Sequence, residues 1–332
     1  MFRVGLIGCG GISGVHKHVI DDTPNAELRC VCDIVPERME RFSGPGIERM
    51  TNWREMIRRE DIDAVHICTP HYLHAEMAIE AMEQGKHVVC EKPMAIHAVD
   101  ARRMAETARR TGKRLTICFQ NRYNAVSLRL KELLESGEAG ALLSGRAVMT
   151  WNRDAAYYAT GEWRGKWETE GGALMINQAI HTVDLLRWLC GDFAEVKSTL
   201  SAKRLGEVIE CEDTADILLT RADGARFLIY ASNCSAASVP VEVWLECEKL
   251  RLIMIGDKLL VEDRASGEAR LETLTPESRC VGKQVWGAGH GQLIPDFYER
   301  VSRGAEPWIT PEDALKTAEL MEQIYGKREI IK

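Results

Sequence analysis

The chain has 332 residues, which exceeds a typical single domain and predicts two domains, each large enough to bury its own core. Its 43 basic and 50 acidic residues leave a formal net charge of -7, which gives no electrostatic reason to expect a nucleic-acid partner. The sequence contains no run of about 18 apolar residues, the length that can span a bilayer. The first predicted strand begins so close to Met1 that we expect no secretory signal peptide before it. We therefore expect a cytoplasmic protein that binds neither nucleic acid nor membrane.

The eleven cysteines are scattered along the chain and include no Cys-x-x-Cys pair. Several of them, such as Cys68, Cys90 and Cys118, lie in apolar runs that are typical of buried strands. An odd number without a framework spacing predicts reduced, buried thiols in a cytosolic protein. We expect no zinc site and no other metal.

The first apolar run, residues 2–7, leads into a glycine-rich turn and then a helix. In this order of elements, Gly8 permits a tight turn and Gly10 lets the backbone approach a pyrophosphate, which the free N–H groups of the helix attract. Gly11 and Ile12 continue the turn, and Ser13 is small enough to pack closely on the strand. The motif predicts a dinucleotide site, although an ordinary strand-to-helix turn is the alternative interpretation.

Asp33 follows the second apolar run, residues 28–32, about 20 residues beyond the turn as the dinucleotide fingerprint requires. A carboxylate at this position accepts hydrogen bonds from ribose hydroxyls and repels a 2′-phosphate. Asp33 therefore favours NAD over NADP as the cofactor.

The chain continues as an alternation of helices and strands up to about residue 121. Continuous apolar runs are typical of strands in a parallel sheet that is covered on both faces. The predicted strands are 64–69, 87–90 and 115–119, and the predicted helices are 53–59, 73–83 and 98–110. We expect an α/β fold with a doubly wound, Rossmann-type parallel sheet over residues 1–121.

Beyond residue 121, two helical patterns precede a series of short strands. The predicted helices are 125–135 and 174–189, and the predicted strands are 216–220, 226–231, 241–247, 250–255 and 258–261. Two more helices finish the chain, and Thr310 and Pro311 open the second of them as N-cap and first helical residue. Residues 122–332 are thus expected to form an α+β domain with a largely antiparallel sheet, which binds substrate.

Two polar segments follow predicted strands of the first domain. Thr69, Pro70 and His74 come after the fourth strand, and Glu91 and Lys92 come after the fifth. Ligands of a doubly wound sheet bind beyond the carboxyl ends of the strands, so Lys92 is expected close to the nicotinamide. The alternative is a solvated surface lysine.

A third polar group lies on the predicted helix 174–189. Asn177, His181 and Asp184 are spaced i, i+4 and i+7, which places them on one face of an α-helix. A polar row on an otherwise apolar helix needs partners, and a ligand is one candidate. A histidine that is satisfied within the core is the other.

The segment before this helix contains several aromatic and basic residues: Trp151, Tyr157, Tyr158, Trp163 and Arg164. Aromatic rings pack on the C–H faces of sugar rings, so this segment is a candidate substrate-lining loop. A contact between domains or subunits is the competing interpretation. We assign substrate contacts to Trp163 and Arg164, and also to Tyr123.

Together these motifs resemble the glucose–fructose oxidoreductase, inositol dehydrogenase and MocA (Gfo/Idh/MocA) family. The resemblance rests on the glycine-rich turn, Thr69-Pro70 with His74, Glu91-Lys92-Pro93, Gly171-Gly172 leading to His181 and Asp184, and Asp296-Phe297-Tyr298. It implies an N-terminal Rossmann domain, an α+β domain whose open sheet joins subunits in a homodimer or homotetramer, and an active site in the cleft between the domains.

The resemblance also implies roles for individual residues. Lys92 would hydrogen-bond the reacting oxygen and His181 would exchange its proton, while Glu91 and His74 would help to position the cofactor. Asn177 stands where the family often has an aspartate, which puts a proton relay through that position in doubt; we expect Asn177 to orient a substrate hydroxyl.

The function that follows is NAD-dependent hydride transfer to or from a secondary alcohol or ketone of a sugar, sugar derivative or cyclitol. A reductase or dehydrogenase of a nucleotide-linked sugar or another small carbonyl compound is the alternative within enzymes. A non-catalytic NAD-binding regulator is the alternative outside them, because fold alone does not fix function.

Overall fold

The computed structural model describes residues 1–42, 44, 46–274, 288–326 and 330–331. These residues form two compact units. The first consists of the described residues of Met1–Gln120 and Ser278–Ala318, and the second of those of Asn121–Glu277 and Glu319–Lys332. The predicted domains, 1–121 and 122–332, stay a prediction. The contacts between residues group the described residues of Ser278–Ala318 with the first unit, whereas the prediction placed them in the second domain.

The strands and helices are numbered along the chain. The strands are β1 (Phe2–Ile7), β2 (Ala26–Cys32), β3 (Glu48–Met50), β4 (Ala64–Ile67), β5 (His87–Cys90), β6 (Leu115–Ile117), β7 (Leu142–Thr150), β8 (Glu195–Ser201), β9 (Thr214–Thr220), β10 (Arg226–Ser232), β11 (Glu242–Cys247), β12 (Leu250–Ile255), β13 (Lys258–Asp263), β14 (Ala269–Thr273) and β15 (Ile330–Ile331). The α-helices are α1 (Ser13–Asp21), α2 (Trp53–Ile57), α3 (His74–Glu83), α4 (Ala98–Thr111), α5 (Ala125–Glu135), α6 (Ala155–Tyr158), α7 (Ile180–Cys190), α8 (His290–Ser302) and α9 (Pro311–Tyr325).

The first unit is built on a six-stranded parallel sheet in the order β3-β2-β1-β4-β5-β6. The order reverses between β1 and β4, and ligands of such sheets bind outside the strand ends at this switch point. β4 is buried at every position, as expected of a strand covered on both faces. The predicted Rossmann fold is confirmed.

The second unit is built on a nine-stranded sheet in the order β14-β13-β12-β11-β7-β10-β9-β8-β15. Most neighbours are antiparallel, but β7 with β10 and β8 with β15 are parallel. The hairpin between β12 and β13 pairs Ile255 with Lys258 across Gly256, whose φ of 62° is left-handed as a two-residue turn requires. The predicted α+β domain with a largely antiparallel sheet is confirmed.

The sequence did not predict β7, which lies in the middle of this sheet. Its pattern is interrupted by Gly145, where a Cβ atom would lie 2.7 Å from the Trp244 carbonyl oxygen and 2.9 Å from a methyl group of Leu245. The glycine therefore serves a close approach between β7 and β11, which a period-two pattern does not reveal.

The predicted single α-helix over 174–189 is wrong in its first part. Residues Leu174–Ala179 form a π-helical turn, and α7 begins only at Ile180. The wider turn alters the spacing between Asn177 and His181, so the α-helical argument for a common face does not hold across it.

The ten described cysteines are free thiols; nine are buried and Cys234 is half-buried. Burial raises the pKa of the Cys90 and Cys118 thiols well above the usual value, which keeps them protonated. None of the described helices combines the length and apolar character that crossing a membrane requires.

Candidate active site

The glycine-rich turn after β1 has the open backbone that a pyrophosphate needs. Gly8 has a φ of 91°, and a Cβ atom there would lie 2.7 Å from the carbonyl carbon of Cys68. A Cβ atom on Gly10 or Gly11 would meet no atom within 4 Å, so the space above the turn is clear. α1 starts directly after Ile12, which aims its free N–H groups at this space. These residues fit a dinucleotide.

Asp33 holds the glycine-rich turn through its carboxylate. Its carboxylate accepts hydrogen bonds from the N–H of Cys9 at 2.7 Å and from the N–H of Val35 at 2.9 Å. The side chain is only 6% exposed. Its position is therefore fixed before any cofactor binds.

Two arginines that the sequence analysis did not single out lie beside this turn. The Arg41 guanidinium donates to the carbonyl oxygen of Cys9 at 2.7 Å, to the hydroxyl of Ser13 at 2.7 Å and also to the carbonyl oxygen of Gly10. A guanidinium nitrogen of Arg38 lies 3.7 Å from the Asp33 carboxylate. Their signal in the sequence was two basic residues just after the acidic strand end. They bring positive charge to the place where a dinucleotide carries phosphates.

His74 links the two polar segments at the ends of β4 and β5. Its Nδ1 lies 2.7 Å from the carbonyl oxygen of Pro93, and its Nε2 lies 3.0 Å from that of Thr69. Burial lowers the pKa of His74, while the hydrogen bonds to the carbonyl oxygens of Pro93 and Thr69 act in the other direction. Lys92 is half-buried two residues after the end of β5, and a cis peptide bond joins it to Pro93. The first unit thus brings together Thr69, Pro70, His74 and Lys92, as expected from the strand ends.

The Glu91 carboxylate points into a buried cluster rather than toward solvent. Its Oε1 lies 3.0 Å from Nε2 of His16 and 3.0 Å from Nε2 of His290. His16 continues to His66 with 2.7 Å between the two Nδ1 atoms, and His66 Nε2 lies 2.7 Å from the Tyr298 hydroxyl. The cluster connects α1, β4, the end of β5 and α8 within the first unit.

One pattern of protons satisfies all of these bonds. Burial by itself raises the pKa of Glu91, but hydrogen bonds from His16 and His290 outweigh it and hold the pKa well below the usual value. The anion accepts from both Nε2–H groups, so His16 Nδ1 accepts from His66 and His66 Nε2 accepts from the Tyr298 hydroxyl. The cluster fixes the strand end that carries Lys92. A direct contact of Glu91 with the cofactor stays a prediction.

The same cluster contains atoms that could hold a metal ion. Donor atoms of His16, Glu91, Cys118 and His290 lie within 4.8 Å of one another. Imidazole, carboxylate and thiolate are the ligands that zinc prefers. The histidines here bond to Glu91 instead, and burial keeps the Cys118 thiol protonated. The predicted absence of a metal stays a prediction.

In the second unit, the three polar residues of the predicted helix differ in burial and in hydrogen-bond partners. His181 is the second residue of α7 and is half-exposed. Asp184 is buried and forms a two-pronged ion pair with Arg122, at 2.8 and 2.6 Å. Asp184 therefore has a structural role as the ion-pair partner of Arg122.

Asn177 contacts a carboxylate that the sequence analysis did not consider. Its Nδ2 donates to Glu170 and lies 3.4 Å from the Tyr157 hydroxyl. Gln178 also donates to the Tyr157 hydroxyl, at 2.8 Å. The predicted contact of Asn177 with a substrate hydroxyl stays a prediction.

Glu170 is fully buried, and its environment changes its acidity. Burial raises the pKa of Glu170 to about 7, although hydrogen bonds from the Gly165 N–H and Asn177 and the nearby Arg164 act in the other direction. A carboxyl group that titrates near neutrality thus lies one residue before Gly171. Its only signal in the sequence was an acidic residue directly before two glycines.

Five side chains of the predicted substrate loop alternate as aromatic ring and guanidinium. We call Trp151, Arg153, Tyr157, Arg164 and Trp163 the aromatic–arginine row. The Arg153 guanidinium carbon lies 5.1 Å from the Trp151 ring and 5.0 Å from the Tyr157 ring. That of Arg164 lies 4.5 Å from the Tyr157 ring and 4.6 Å from the Trp163 ring. Arg153 was not among the predicted site residues.

The two remaining predicted aromatic residues are buried. Tyr158 is 5% exposed, and its hydroxyl accepts a hydrogen bond from Asn233 at 3.1 Å, which makes it part of the core of the second unit. Tyr123 is 8% exposed and follows β6 in a short 3₁₀ turn. Its contact with substrate stays a prediction.

Comparisons with known proteins agree with this geometry. Residues 2–119 match the model of an oxidoreductase family with an NAD-binding Rossmann fold, GFO_IDH_MocA, and residues 127–253 match the C-terminal domain of the same family. Inositol 2-dehydrogenase 3 of Saccharopolyspora erythraea is 30% identical over 305 residues, which are 90% of this chain and 80% of that protein. The chain belongs to the Gfo/Idh/MocA family.

Two other proteins are similar to this chain. The uncharacterized oxidoreductase YrbE of Bacillus subtilis is 30% identical over 68% of this chain, and the match spans 65% of YrbE, just under two thirds of its length. The WlbA dehydrogenase of Bordetella pertussis, solved in complex with NADH and UDP-GlcNAcA, is 30% identical with a TM-score of 0.85; the match covers 98% of this chain and 94% of that one.

Membership in the Gfo/Idh/MocA family confirms the predicted family and the NAD-binding oxidoreductase class. NAD also fits the open turn at Gly10 and the carboxylate of Asp33. The contacts of the individual site residues with cofactor and substrate remain proposals.

Proposed function

We propose that this Gfo/Idh/MocA member catalyses NAD-dependent hydride transfer at a secondary alcohol or ketone of a sugar, sugar derivative or cyclitol. The observation that carries the proposal is Lys92, an ammonium group at the carboxyl end of β5 in the unit that bears the NAD turn. Strand ends of doubly wound sheets border the ligand. The neighbouring Glu91 cluster and the His74 bridge fix this strand end on both sides.

Each catalytic role follows from the chemistry of the side chain. Bound NAD supplies the hydride acceptor for alcohol oxidation. Lys92 donates a hydrogen bond to the reacting oxygen and stabilises the negative charge that develops on it. His181 removes the hydroxyl proton, because imidazole is the side chain that most often serves as a general base. The Asn177 oxygen accepts a hydrogen bond from a second substrate hydroxyl and so orients the ring.

A reductase or dehydrogenase of a nucleotide-linked sugar is the second candidate. The similar WlbA dehydrogenase was solved with NADH and UDP-GlcNAcA, a nucleotide-linked sugar acid. Hydride chemistry would be the same for both substrate classes. A regulator that binds NAD without turnover is disfavoured by the presence of both Lys92 and His181.

We also propose that the protein works in the cytoplasm as a homodimer or homotetramer and binds no nucleic acid. Protonated, buried thiols suit a reducing compartment. The net charge of -7 disfavours nucleic acid. On the nine-stranded sheet, the outward side chains of β10 include Leu228 and Tyr230, which are 44% and 39% exposed, and such apolar groups suit a subunit interface.

The test is NADH formation against a panel of sugars, uronic acids, inositols and nucleotide sugars. We expect Lys92→Met and His181→Asn each to lower kcat about 10²- to 10³-fold on the best substrate, while NAD affinity changes little. Lys203→Met, which removes an exposed lysine of the second unit, is the matched control and should retain full activity. Full turnover by Lys92→Met would refute the mechanism, and NAD binding without turnover on any member of the panel would support the regulator.

A further inference from the structure

Among the described residues, Arg153 differs from Arg164, the other arginine of the aromatic–arginine row, in its side-chain partners. Its Nη1 donates to the carbonyl oxygen of Asn152 at 2.7 Å, whereas its Nε is buried without a hydrogen-bond partner. No described acidic residue lies within ion-pair distance of Arg153. Arg164, in contrast, donates to Thr160 at 3.1 Å and to the Tyr157 hydroxyl at 2.7 Å.

The unpaired charge is held in a fixed position. The Arg153 guanidinium lies between the rings of Trp151 and Tyr157, and ring faces attract cations. Trp151 is fixed in turn, because its indole N–H donates to the carbonyl oxygen of Val239 at 3.1 Å. A half-buried guanidinium held in one orientation loses little entropy when it binds a planar anion.

Two carboxyl groups lie near the row, and neither neutralises Arg153. Asp154 accepts the N–H of Tyr157 at the start of α6. Glu170 lies on the Arg164 side, with 3.9 Å between its Oε1 and the nearest guanidinium nitrogen, and is engaged by Asn177 and Gly165. The row therefore carries positive charge in a chain whose net charge is -7.

The row is connected to the residues to which we assign substrate chemistry. The Tyr157 ring contacts both guanidinium groups, and its hydroxyl accepts from Gln178 and lies 3.4 Å from Asn177 Nδ2. His181 follows Asn177 by four residues, at the start of α7. Tyr157 thus links Arg153 to Asn177, the residue that we expect to orient the substrate.

We propose that Arg153 binds a carboxylate of the substrate, so that the substrate class is a sugar acid rather than a neutral sugar or cyclitol. This assignment rests on the proposed function and narrows it. A guanidinium group pairs with a carboxylate through two parallel N–H donors, and a neutral hydroxyl cannot replace that charge. A phosphate offers similar oxygens, and it is distinguished in the test.

The experiment compares matched substrates on the NAD-loaded protein. Initial rates are compared within two pairs of an acid and its neutral sugar: D-glucuronate with D-glucose, and D-galacturonate with D-galactose. D-glucose 6-phosphate is compared with both D-glucuronate and D-glucose. We expect kcat/KM to favour the acids over the neutral sugars by roughly 10- to 100-fold, as one charge-assisted pair allows. D-glucose 6-phosphate should be turned over no better than D-glucose.

Two arginine variants separate recognition from net charge. Arg153→Met should abolish the preference for the acids, chiefly through a higher KM for the acids. Arg54→Met is the matched control, because Arg54 also lies on an indole ring, at 4.2 Å from Trp53, but is paired with Glu76 and Glu80. It should keep the preference.

The outcomes separate this inference from the proposed function. Equal kcat/KM for acids and neutral sugars in the parent protein, or an unchanged preference in Arg153→Met, would overturn the role of Arg153 and leave the dehydrogenase standing. Preference for D-glucose 6-phosphate over D-glucuronate would overturn the carboxylate assignment. If the protein turns over none of these substrates, binding of D-glucuronate and D-glucose is measured by calorimetric titration. Tighter binding of D-glucuronate than of D-glucose would support the carboxylate site at Arg153, and equal binding of the two would refute that site.

Discussion

At the residue scale, Asp33 combines two roles in one carboxylate. It accepts the N–H groups of Cys9 and Val35, which shapes the glycine-rich turn, and its charge disfavours a 2′-phosphate. Arg38 and Arg41 already lie close by, so the position is poised to accept a phosphate once the carboxylate is removed.

Asp33→Asn tests these two roles separately. The amide oxygen can still accept the N–H of Cys9, while the charge is gone, so we expect the ratio of kcat/KM for NAD to that for NADP to fall about 10- to 100-fold. Asp33→Ala removes the acceptor as well and should also weaken NAD binding. Equal use of NAD and NADP by the parent protein would contradict the argument from charge.

Glu170 is a second residue whose surroundings set its chemistry. Its pKa is raised to about 7 by burial, so between about pH 4.5 and 7 the folded state holds a proton that the unfolded state has released. The free energy of unfolding therefore falls as pH rises through this window. A shift of this size corresponds to a loss on the order of 3 kcal/mol.

Glu170→Gln should remove this dependence. We expect the parent protein to lose thermal stability relative to the variant as pH rises from 5 to 8, as measured by Tm at several pH values. Glu168→Gln, an exposed neighbour, is the control and should follow the parent. Parallel pH profiles for the parent and Glu170→Gln would show that Glu170 does not titrate in this range.

At the scale of elements, the π-helical turn before α7 depends on two buried side chains. Oε1 of Glu212 accepts the N–H of Met175 at 2.8 Å and the Tyr325 hydroxyl at 2.8 Å. The Tyr325 hydroxyl in turn accepts the N–H of Ile176 at 3.0 Å. Tertiary partners thus satisfy the N–H groups that a helix start leaves open, and they hold the turn that carries Asn177.

Gly172 makes this arrangement possible. Its φ is 148°, and a Cβ atom would lie 1.9 Å from the Tyr325 hydroxyl oxygen. We expect Gly172→Ala to lower the free energy of unfolding by about 2 to 4 kcal/mol, because both the backbone and the tyrosine must shift. Gly14→Ala, in open space on α1, should instead be neutral or stabilise by up to about 1 kcal/mol. Urea unfolding measures both, and an unimpaired Gly172→Ala would contradict the clash.

At the scale of the whole molecule, the face of the nine-stranded sheet that exposes Leu228 is continuous across four strands. Leu228 pairs with Leu218 on one side and with Arg146 on the other, and Arg146 pairs with Trp244. The Arg146 guanidinium carbon lies 4.2 Å from the Trp244 ring. A face of this composition suits contact with a second copy of the chain.

Light scattering during size-exclusion chromatography tests this face. We expect a multiple of 37.3 kDa for the parent protein and dissociation toward 37.3 kDa for the double variant Leu228→Lys, Tyr230→Lys, because burying a lysine without a partner is costly. Val99→Lys changes an exposed apolar residue of α4 and should leave the mass unchanged. A monomeric parent protein would refute the proposed oligomer.

The sequence predicted the parts of this protein that depend on local order. Strand, glycine turn, helix and acidic strand end indicated the Rossmann fold and NAD, because these elements follow one another along the chain and the hydrogen bond from Cys9 to Asp33 spans only 24 positions. Lys92 was singled out because it stands near the end of a strand. His181 was singled out by an α-helical spacing that the π-helical turn interrupts, and the roles of both residues stay predictions. The sequence analysis missed β7, where Gly145 interrupts the alternation of apolar and polar residues. It also missed β8, where most side chains are exposed or half-exposed and the alternation is weak.

What only the tertiary structure decided depends on contacts between distant parts of the chain. The Tyr298 hydroxyl of α8 contacts His66 and so joins the histidine cluster around Glu91. After α8, the carbonyl oxygen of Ile309 accepts a hydrogen bond from the Thr116 hydroxyl at 3.0 Å. These contacts make the late segment part of the first unit. Glu212 and Tyr325 turn the start of the predicted helix into a π-helical turn. The surroundings of Arg153 belong to this class as well, because whether a described acidic residue lies within ion-pair distance of it is a property of the folded neighbourhood. Such features arise when side chains far apart in sequence satisfy one another, and periodicity along the chain carries no record of them.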